Sequence, residues 1–327
     1  MKRIFENLKV IKSDNFDEIL SNIDIELPFD RDFINLLKDE NDFPQEYYYI
    51  TNKHSFAFFI LYKMKLNIFT LGKLKFDMNV KVIGIPCSVS DKGYYTNDVR
   101  MMTSFIKSMK GAKIILNSDE ILHDKDMIDG QTLPTLIFDN HFKKIEDYLN
   151  ALRSNYRRRI KKAIQNCKNF EVEVSDSICP DEVYELYLST YNKSNYKLEK
   201  LNKGFFDHIK GKKIIFSSKD GHARGFVLIV HKTTALDFLF CGMDYNFETT
   251  DLYYYMLFEI IKYAIENNIK IINFGQTSEE TKMKMGASLS NRYFYAHHSN
   301  AIVNRFIKLI KNFLEYKQDF KSFRVFK

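Results

Sequence analysis

Apolar residues recur along the C-terminal half of the chain with helical and strand periods, and these periods predict its elements. Residues 251–268 carry apolar side chains three and four positions apart, which predicts a long amphipathic helix. The run that follows, 270–274, is short and mostly apolar, which is typical of a buried strand. A short helix at 279–285 and a strand at 292–298 are predicted next. A helix therefore leads into a strand that ends in Asn273-Phe274-Gly275.

The predicted elements occur twice in the same order. In the N-terminal part the patterns predict helices at 30–38 and 97–109, a short helical segment before residue 133, and strands at 47–51, 55–63, 67–71, 81–85, 113–117 and 133–138. In the C-terminal part they predict helices at 180–193 and 204–209 and strands at 213–217, 225–231 and 235–241. No repeat is visible residue by residue. Element order alone therefore predicts a duplicated α/β (α+β) fold with domains at 1–142 and 143–327.

A basic helix is predicted between the two halves, at residues 143–167. One face carries an apolar stripe that is expected to meet a core, formed by Ile145, Tyr148, Leu149, Leu152, Tyr156, Ile160, Ala163, Ile164 and Cys167. The opposite face carries four cations, Arg157, Arg158, Lys161 and Lys162. The last predicted helix, at 301–316, has a stripe of similar spacing, formed by Ile302, Phe306, Ile310 and Phe313.

The net charge of +7 resides in one segment of the chain. Seven basic residues and no acidic ones lie between positions 153 and 168, namely Arg153, Arg157, Arg158, Arg159, Lys161, Lys162 and Lys168. A charge run of this kind is either a solvated face or a clamp for phosphates, carboxylates or a tRNA backbone. The lack of acidic residues favours the clamp, because the cations repel one another without a ligand.

Composition narrows the class of protein. An apolar fraction of 45% over 327 residues supports sizeable cores and argues against disorder. The four cysteines are scattered without a C-x-x-C pair, which is typical of a reduced cytosolic protein. Since no signal peptide or apolar run of roughly 20 residues is present, we expect a cytoplasmic protein without integral membrane association. The histidines and cysteines do not show the spacing of a metal site. The high content of Lys, Asn, Ile and Phe suggests a bacterial, AT-rich genome.

The end of the strand at 270–274 is the best candidate site in the sequence. Ligands of open α/β sheets bind at strand ends, and Gly275 permits close approach of the backbone to a ligand. Asn273 and Gln276 flank this turn. Lys282, on the short helix, is either an exposed residue or a group that binds the acceptor or stabilises negative charge at a carbonyl. Nothing in the sequence indicates a lowered pKa for Lys282, so we predict substrate binding rather than proton transfer.

Two stretches resemble a known family. Residues 148–163, Tyr-Leu-Asn-Ala-Leu-Arg-Ser-Asn-Tyr-Arg-Arg-Arg-Ile-Lys-Lys-Ala, resemble the basic helix that joins the domains of FemAB-like proteins. Asn273-Phe274-Gly275 with Lys282 and Gly286-Ala287 resembles the closing motif of their second domain. These proteins have the GNAT acyltransferase fold, usually as a tandem pair. The resemblance implies two tandem GNAT-like domains, each a mixed, mostly antiparallel sheet flanked by helices.

The resemblance also implies roles for individual residues. In this fold two adjacent parallel strands splay, here 235–241 and 270–274, and their free amides hold a thioester arm and an oxyanion. The implied catalytic residues are Lys282, Asn273 and Gln276. The implied cofactor-binding residues are Phe240, Cys241, Gly242, Thr250 and Leu252. The implied substrate-binding residues are Arg157, Arg158, Lys161, Asp244, Tyr253 and Gly275. Simpler assignments stay open for three side chains: packing for Cys241, a turn for Asp244 and a core position for Tyr253.

The expected function is transfer of an acyl group from acyl-CoA, as co-substrate, to an amine by the C-terminal half, with the N-terminal half degenerate. No permanently bound cofactor is expected. One alternative is an aminoacyl-tRNA-dependent transferase that builds peptidoglycan bridges, with the basic helix against tRNA. The other is a non-catalytic binding protein. It is supported by the absence of the glycine-rich pyrophosphate loop of ordinary GNAT acetyltransferases from the turn at 242–250. The expected acceptor is a small-molecule or peptidoglycan-precursor amine.

Overall fold

The computed structural model describes residues 8–67, 77–87, 90–194, 199–232, 235–247, 251–317 and 320–327. In chain order its elements are β1 (Lys9–Ser13), α1 (Phe16–Ser21), α2 (Arg31–Asp39), β2 (Gln45–Thr51), β3 (Phe56–Asn67), β4 (Asp77–Ile83), β5 (Tyr94–Thr96), α3 (Val99–Ser108), β6 (Ala112–Ser118), β7 (Ile128–Asp139), α4 (Ile145–Ala151), α5 (Ser154–Asn166), β8 (Glu171–Ser175), α6 (Asp181–Lys193), α7 (Lys203–His208), β9 (Lys212–Ser217), β10 (Ala223–His231), β11 (Ala235–Met243), α8 (Leu252–Glu266), β12 (Ile271–Asn273), α9 (Glu279–Lys284), β13 (Ser288–His298), α10 (Ala301–Leu309) and α11 (Lys311–Leu314). None of the helices in these residues is long and apolar enough to cross a membrane.

The chain divides into two compact units, and neither is a continuous stretch of sequence. Unit 1 consists of Met1–Leu133, Leu198–Phe205 and Asn291–Lys317, and unit 2 of Pro134–Lys197, Phe206–Ser290 and Gln318–Lys327. The predicted division into 1–142 and 143–327 differs from this one. The C-terminal part of β13 pairs with β6 of unit 1, with Tyr295 opposite Ile115. The helices that follow β13 therefore belong to unit 1.

Unit 1 is built on a mixed sheet with the strand order β1-β2-β3-β4-β6-β13. β4 and β6 are parallel, with Val80 opposite Ala112, and the other neighbouring pairs are antiparallel. Phe59, Met102 and Tyr295 are buried in its core, which joins the sheet to α3. The crossover between the two parallel strands includes α3, as parallel neighbours require a long connection.

Unit 2 is built on a second mixed sheet, with the strand order β7-β12-β11-β10-β9-β8. β11 and β12 run parallel, and the other neighbouring pairs are antiparallel. The crossover helix α8 is apolar around most of its circumference, and Met256, Ile260 and Ala264 are fully buried. A helix of this composition belongs in a core, and α8 packs there. The predicted α/β (α+β) class, with mixed and mostly antiparallel sheets flanked by helices, is confirmed.

The helix predicted at 143–167 is interrupted, so that prediction was wrong in one respect. Leu152 and Arg153, between α4 and α5, have an extended backbone with ψ angles of 140° and 153°. Leu152 forms an antiparallel bridge with Phe326, and the Arg153 amide donates to the Val325 carbonyl at 2.9 Å. The C-terminal segment therefore breaks the helix through a long-range pairing that helical periodicity does not encode.

Other predicted elements differ from the structure, and one lies outside the described residues. Residues 119–127 contain no helix, and β7 begins earlier than predicted, at Ile128. The strand predicted at 67–71 lies outside the described residues except for Asn67. The helix predicted at 301–316 is interrupted at Ile310. Its apolar stripe does not face a core, since the side chains of Ile302, Phe306 and Phe313 are exposed.

Candidate functional site

The parallel strands β11 and β12 separate after three residue pairs. They are paired from Ala235 opposite Ile271 to Asp237 opposite Asn273, which confirms the predicted parallel pair. Beyond this point the chain turns towards β7, and the Phe274 amide donates to the Leu136 carbonyl at 2.8 Å. β11 continues to Met243, and in the described part of the chain no strand pairs with this extension on the β12 side. The splayed pair leaves an open strand edge at the end of β12.

A bulge lies in β11 at the same level. Leu228 is opposite Phe240 and Ile229 is opposite Phe238, so Leu239 is the extra residue. Bulges bend a strand and change the direction of its side chains, and they are common beside active sites. The bulge and the splay thus occur together near the middle of β11.

The turn between β12 and α9 is built from left-handed residues. Gly275, Thr277 and Ser278 have φ angles of 67°, 64° and 52°. A β-branched threonine in this region costs on the order of 1–3 kcal/mol, and such strain is concentrated at functional sites. The Asn273 side chain supports the turn by accepting a hydrogen bond from the Gly275 amide at 2.9 Å. The turn directs α9 back towards the end of β12.

Lys282, on α9, is buried with 2% of its surface exposed, which excludes the alternative of a surface lysine. Its Nζ donates to the Gln276 carbonyl at 2.7 Å and lies 5.6 Å from the centroid of the Phe238 ring. Burial lowers the pKa of Lys282 to about 8, an effect partly offset by Cys241 and Glu279. The pKa shift is a feature that the sequence did not indicate. Through these contacts Lys282 connects α9 to the turn that precedes it and to the splayed part of β11.

The buried lysine should make stability depend on pH. The native state releases the Lys282 proton near pH 8, whereas the unfolded chain holds it until about 10.5. Between these values the unfolded state binds more protons, so the free energy of unfolding rises with pH. Compared with Lys282→Met, the wild type should gain up to about 3 kcal/mol through this window, measured by urea denaturation. If the free energies of unfolding of the two proteins change in parallel with pH, Lys282 titrates as an ordinary lysine.

Cys241 and Glu279 interact electrostatically with Lys282, and Tyr253 and Tyr245 in turn interact with Cys241. Burial raises the pKa of Cys241 to about 11, against the opposing effect of Lys282. Cys241 is therefore a neutral thiol at physiological pH and not a nucleophile. Burial and Cys241 raise the pKa of Tyr253, whose hydroxyl hydrogen bonds with Ser278. Tyr245 hydrogen bonds with Thr190, and Lys193 Nζ lies 3.6 Å from its ring centroid. Tyr245 and Glu279 were not among the predicted site residues.

Other predicted cofactor-binding residues are part of the interior packing. The ring centroid of Phe240 lies 5.8 Å from that of Tyr187 and 6.0 Å from that of Phe206. Leu252 is 3% exposed within the core of unit 2. Thr250 lies outside the described residues. Of the predicted set, Cys241 is the residue that the structure brings beside Lys282.

Gly242 packs against the backbone of α6. A Cβ atom there would lie 2.4 Å from the carbonyl carbon of Leu186 and 2.5 Å from the ring of Phe226. Gly242→Ala is therefore expected to lower the free energy of unfolding by about 2 kcal/mol or more, since a backbone contact relaxes poorly. Calorimetric melting would measure the loss. Gly84→Ala is the matched control, because its nearest contact would be an ordinary 3.6 Å, and equal losses would contradict the packing role.

Asp244 occupies a turn and is already paired. Its Oδ2 accepts a hydrogen bond from Arg224 Nη1 at 2.8 Å, and its Oδ1 accepts one from the Asn246 amide at 2.9 Å. Arg224 also pairs with Asp220 at 2.6 Å. These contacts match the turn assignment, and an amine acceptor at Asp244 would have to compete with Arg224.

α5 presents four cations on one face. Ile160 and Ala163 are buried on its inner side, whereas Arg158, Lys161 and Lys162 are exposed and Arg157 is half-buried. Within the described ranges, no carboxylate lies within ion-pair distance of these four cations. Their charges are therefore available to an anionic ligand.

Arg159 is the exception on α5, and the expectation that none of the seven cations has an acidic partner was wrong here. Its Nη1 lies 2.5 Å from Asp251 Oδ1, and its guanidinium carbon lies 4.0 Å from the centroid of the Tyr254 ring. Asn166 donates to the other Asp251 oxygen at 2.5 Å. Asp251 immediately precedes α8, so these contacts tie α5 to the start of that helix. In the described residues, no cluster of three or more His, Cys, Asp and Glu side chains suits a metal ion.

No model of a known protein family matches this chain, and a search of curated proteins finds no relative. Solved structures do match. L-PGS from Bacillus licheniformis has a TM-score of 0.55 at 10% identity, over 89% of this chain and 98% of that one. The C-terminal domain of a protein assigned as a lysylphosphatidylglycerol synthetase from Agrobacterium fabrum has a TM-score of 0.53 at 10% identity, over 90% and 94%.

A tandem GNAT protein from the clavulanic acid biosynthesis pathway has a TM-score of 0.52 at 8% identity, over 90% of this chain and 99% of that one. At such low identity the similarity shows the fold alone. Because the match spans nearly the full length of both chains, it includes both GNAT-like halves. The chain therefore has the predicted tandem GNAT-like fold, whereas membership of the FemAB-like group stays a prediction.

Proposed function

We propose that unit 2 transfers an acyl or aminoacyl group from an ester or thioester donor to an amine. The observation that carries this proposal is the burial of Lys282 at the end of the splayed strands β11 and β12. Burial lowers the pKa of Lys282, and groups with pKa values shifted in this way are common in active sites. The similarity in fold to GNAT proteins supports a transferase in general terms.

The reaction requires stabilisation of negative charge. The neutral amine nitrogen bonds to the carbonyl carbon, and the bond from that carbon to the carrier oxygen or sulfur breaks. Between these events the carbonyl oxygen carries negative charge. The amine proton passes to the leaving oxygen or sulfur, directly or through solvent.

Lys282 supplies the positive charge in this scheme. With a pKa of about 8, Lys282 is mostly an ammonium at neutral pH. An ammonium that is shielded from water stabilises an oxyanion more strongly than one in solution. We therefore assign it an electrostatic role at the carbonyl rather than proton abstraction. Gln276 and Asn273 hold the lysine and the turn in position through the Gln276 carbonyl and the Asn273 side chain.

An aminoacyl-tRNA is the donor that the charges favour. Arg157, Arg158 and Lys161 on α5 suit a phosphate backbone, because no carboxylate within the described ranges neutralises them. Asp251 places a carboxylate beside the first turn of α8, where the pyrophosphate of CoA would otherwise find free amides. Arg159 is already engaged by that carboxylate. These two observations rank aminoacyl-tRNA above acyl-CoA as the donor.

Acyl-CoA is the second candidate donor. It is supported by the parallel splay of β11 and β12, the feature that the FemAB-like resemblance associates with a thioester arm. The acceptor in either case is a small-molecule amine or the amine of a peptidoglycan precursor. The activity is proposed for the cytoplasm, where both donors are made.

A transfer assay distinguishes the candidates. Bulk tRNA charged with mixed labelled amino acids, and labelled acetyl-CoA in a separate reaction, are incubated with the protein and a pool of amines. Label should pass from tRNA to the amine fraction. Transfer from acetyl-CoA alone would establish the second donor. Absence of transfer from both, with tRNA binding intact, would support the alternative of a non-catalytic binding protein.

A further inference from the structure

An apolar stripe on α10 and α11 of unit 1 is exposed to solvent. The exposed fractions are 79% for Ile302, 57% for Phe306, 81% for Leu309 and 66% for Phe313. At roughly 100° per residue the three side chains on α10, Ile302, Phe306 and Leu309, fall within about 60° of one another, and Phe313 follows on α11. Large apolar side chains that are scattered singly need no explanation, but a contiguous stripe of four marks an interaction surface.

The stripe is distinct from the face that packs on unit 1. Ile307 is 7% exposed, and Val303 and Leu314 are half-buried. On α10, Val303 and Ile307 lie roughly 100° around the helix from the stripe. The helices therefore have two apolar faces, and unit 1 covers one of them.

Exposed cations flank the stripe. Arg305 and Lys308 on α10, and Lys317 beyond α11, are exposed. Across the described residues, no carboxylate lies within ion-pair distance of these three. Lys311 is paired, at 3.2 Å from Asp129 and 3.5 Å from Glu315. The segment from residue 300 to residue 317 contains four basic residues and one acidic residue, so the surface beside the stripe is positive.

A second cationic surface adjoins the start of α10. A cleft of about 550 Å³ is lined by Lys63, Lys65, Lys81 and Lys110, together with Asp42. Lys63 and Lys65 lie 3.8 Å and 3.9 Å from Glu46 and Asp77, so their charges are partly compensated. The Gly111 amide donates to Ser299 Oγ at 2.9 Å, and the Ser299 amide donates to the Gly111 carbonyl at 3.2 Å. These bonds fasten the lysine-lined cleft to the residue before the N-cap of α10.

We infer that α10 and α11 bind the surface of a membrane that contains anionic lipids. The stripe would enter the boundary between head groups and acyl chains, and Arg305 and Lys308 would meet lipid phosphates. An apolar face bordered by cations is the arrangement that such surfaces bind. A second copy of this chain fits less well, because it would bring the same uncompensated positive charges together. This inference does not depend on the proposed function.

Vesicle co-sedimentation of the full chain tests the inference. The protein should bind vesicles of phosphatidylcholine mixed with phosphatidylglycerol and bind pure phosphatidylcholine vesicles far more weakly. Phe306→Ser with Leu309→Ser should reduce the partition coefficient at least about 10-fold. Arg305→Gln with Lys308→Gln should reduce it by about 10-fold on anionic vesicles and leave neutral vesicles unchanged. Because all four side chains are exposed, the melting temperatures should match that of the wild type.

Ile178→Ser is the matched control for the apolar change, since Ile178 is 71% exposed and lies in unit 2. Its vesicle binding should equal that of the wild type. Three results would overturn the inference. The first is no binding to anionic vesicles, and the second is an equal loss of vesicle binding in Ile178→Ser. The third is a dimeric mass of the wild type in ultracentrifugation that returns to the monomer value in the Phe306 and Leu309 double variant. The last result would assign the stripe to self-association. Since no step measures acyl transfer, failure here leaves the proposed function untouched.

Discussion

Lys282→Met is expected to lower the rate of acyl transfer by about 100-fold or more without destabilising the protein. Methionine has a similar length, so packing beside Phe238 is retained while the ammonium is lost. Removing a buried charge also removes its desolvation cost, so the free energy of unfolding near neutral pH should be equal or higher. Transfer assays and calorimetric melting on the same samples measure both effects. Lower activity with unchanged or higher stability is the signature of a functional lysine.

Two other buried lysines are matched controls for this variant. Lys113 and Lys213 are each 1% exposed, and burial lowers the pKa of both. Lys113 Nζ donates to the Met109 carbonyl at 2.5 Å, and Lys213 Nζ donates to the Ser177 carbonyl at 2.9 Å. Lys113→Met and Lys213→Met should leave the transfer rate nearly unchanged. A similar loss in all three variants would attribute the effect to the loss of any buried lysine and would contradict the role of Lys282.

Combined Arg157→Ala, Arg158→Ala and Lys161→Ala should weaken tRNA binding by about 100-fold at low salt. Each cation that meets a phosphate displaces counterions from the nucleic acid, so the dependence of binding on salt should also flatten. The slope of log K against log salt is expected to fall by about 3, or about 1 for each phosphate contact. Fluorescence anisotropy of labelled tRNA over a salt series measures affinity and slope together.

The control for this variant removes three charges elsewhere on unit 2. Lys143, Lys144 and Lys219 are exposed, and within the residues that the structure describes none of them forms an ion pair. Their combined replacement by alanine lowers the net charge equally. If both triple variants lose the same affinity, binding depends on overall charge and α5 is not the contact. Arg159 is left intact in both, because its loss would leave Asp251 unpaired.

The fold of unit 2 near the site was predictable because its signals are local. α8, β12 and α9 follow one another, and each has its own periodic pattern within a few residues of the next. The break between α4 and α5 was not predictable in this way, since it depends on the bridge from Leu152 to Phe326 at the other end of the chain. The periodicity also predicted the apolar stripe at 301–316. It did not predict whether the stripe is buried or exposed, because the sequence pattern is the same in both cases.

The candidate site was only partly predictable, for similar reasons. The glycine after the strand end predicts a ligand site at the turn, and the position of Lys282 after that turn indicates a role there. Its burial depends on Phe238 and the Gln276 carbonyl, a tertiary arrangement without a sequence signal. Gly242 was predicted to bind a cofactor, but in the structure it packs against α6. A glycine permits close approach of a ligand or of another backbone, and here the neighbour is α6.

The pairing of Arg159 with Asp251 also joins distant parts of the sequence. At least one of the seven cations at 153–168, Arg159, is therefore not free. Local sequence identifies a charge cluster, whereas the contacts in the folded chain decide which members stay available.

The most direct test of the central claim is a titration of Lys282 by NMR, with lysine labelled at Cε and the signal assigned by its absence in Lys282→Met. We expect a pKa of about 8 in the free protein. We also expect a stable amide analogue of an aminoacyl-adenosine to shift the Lys282 signal while the Lys113 signal stays in place. A pKa at the ordinary value of 10.5, or a Lys282 signal that no donor analogue perturbs, would contradict the assignment of unit 2 as the site of acyl transfer.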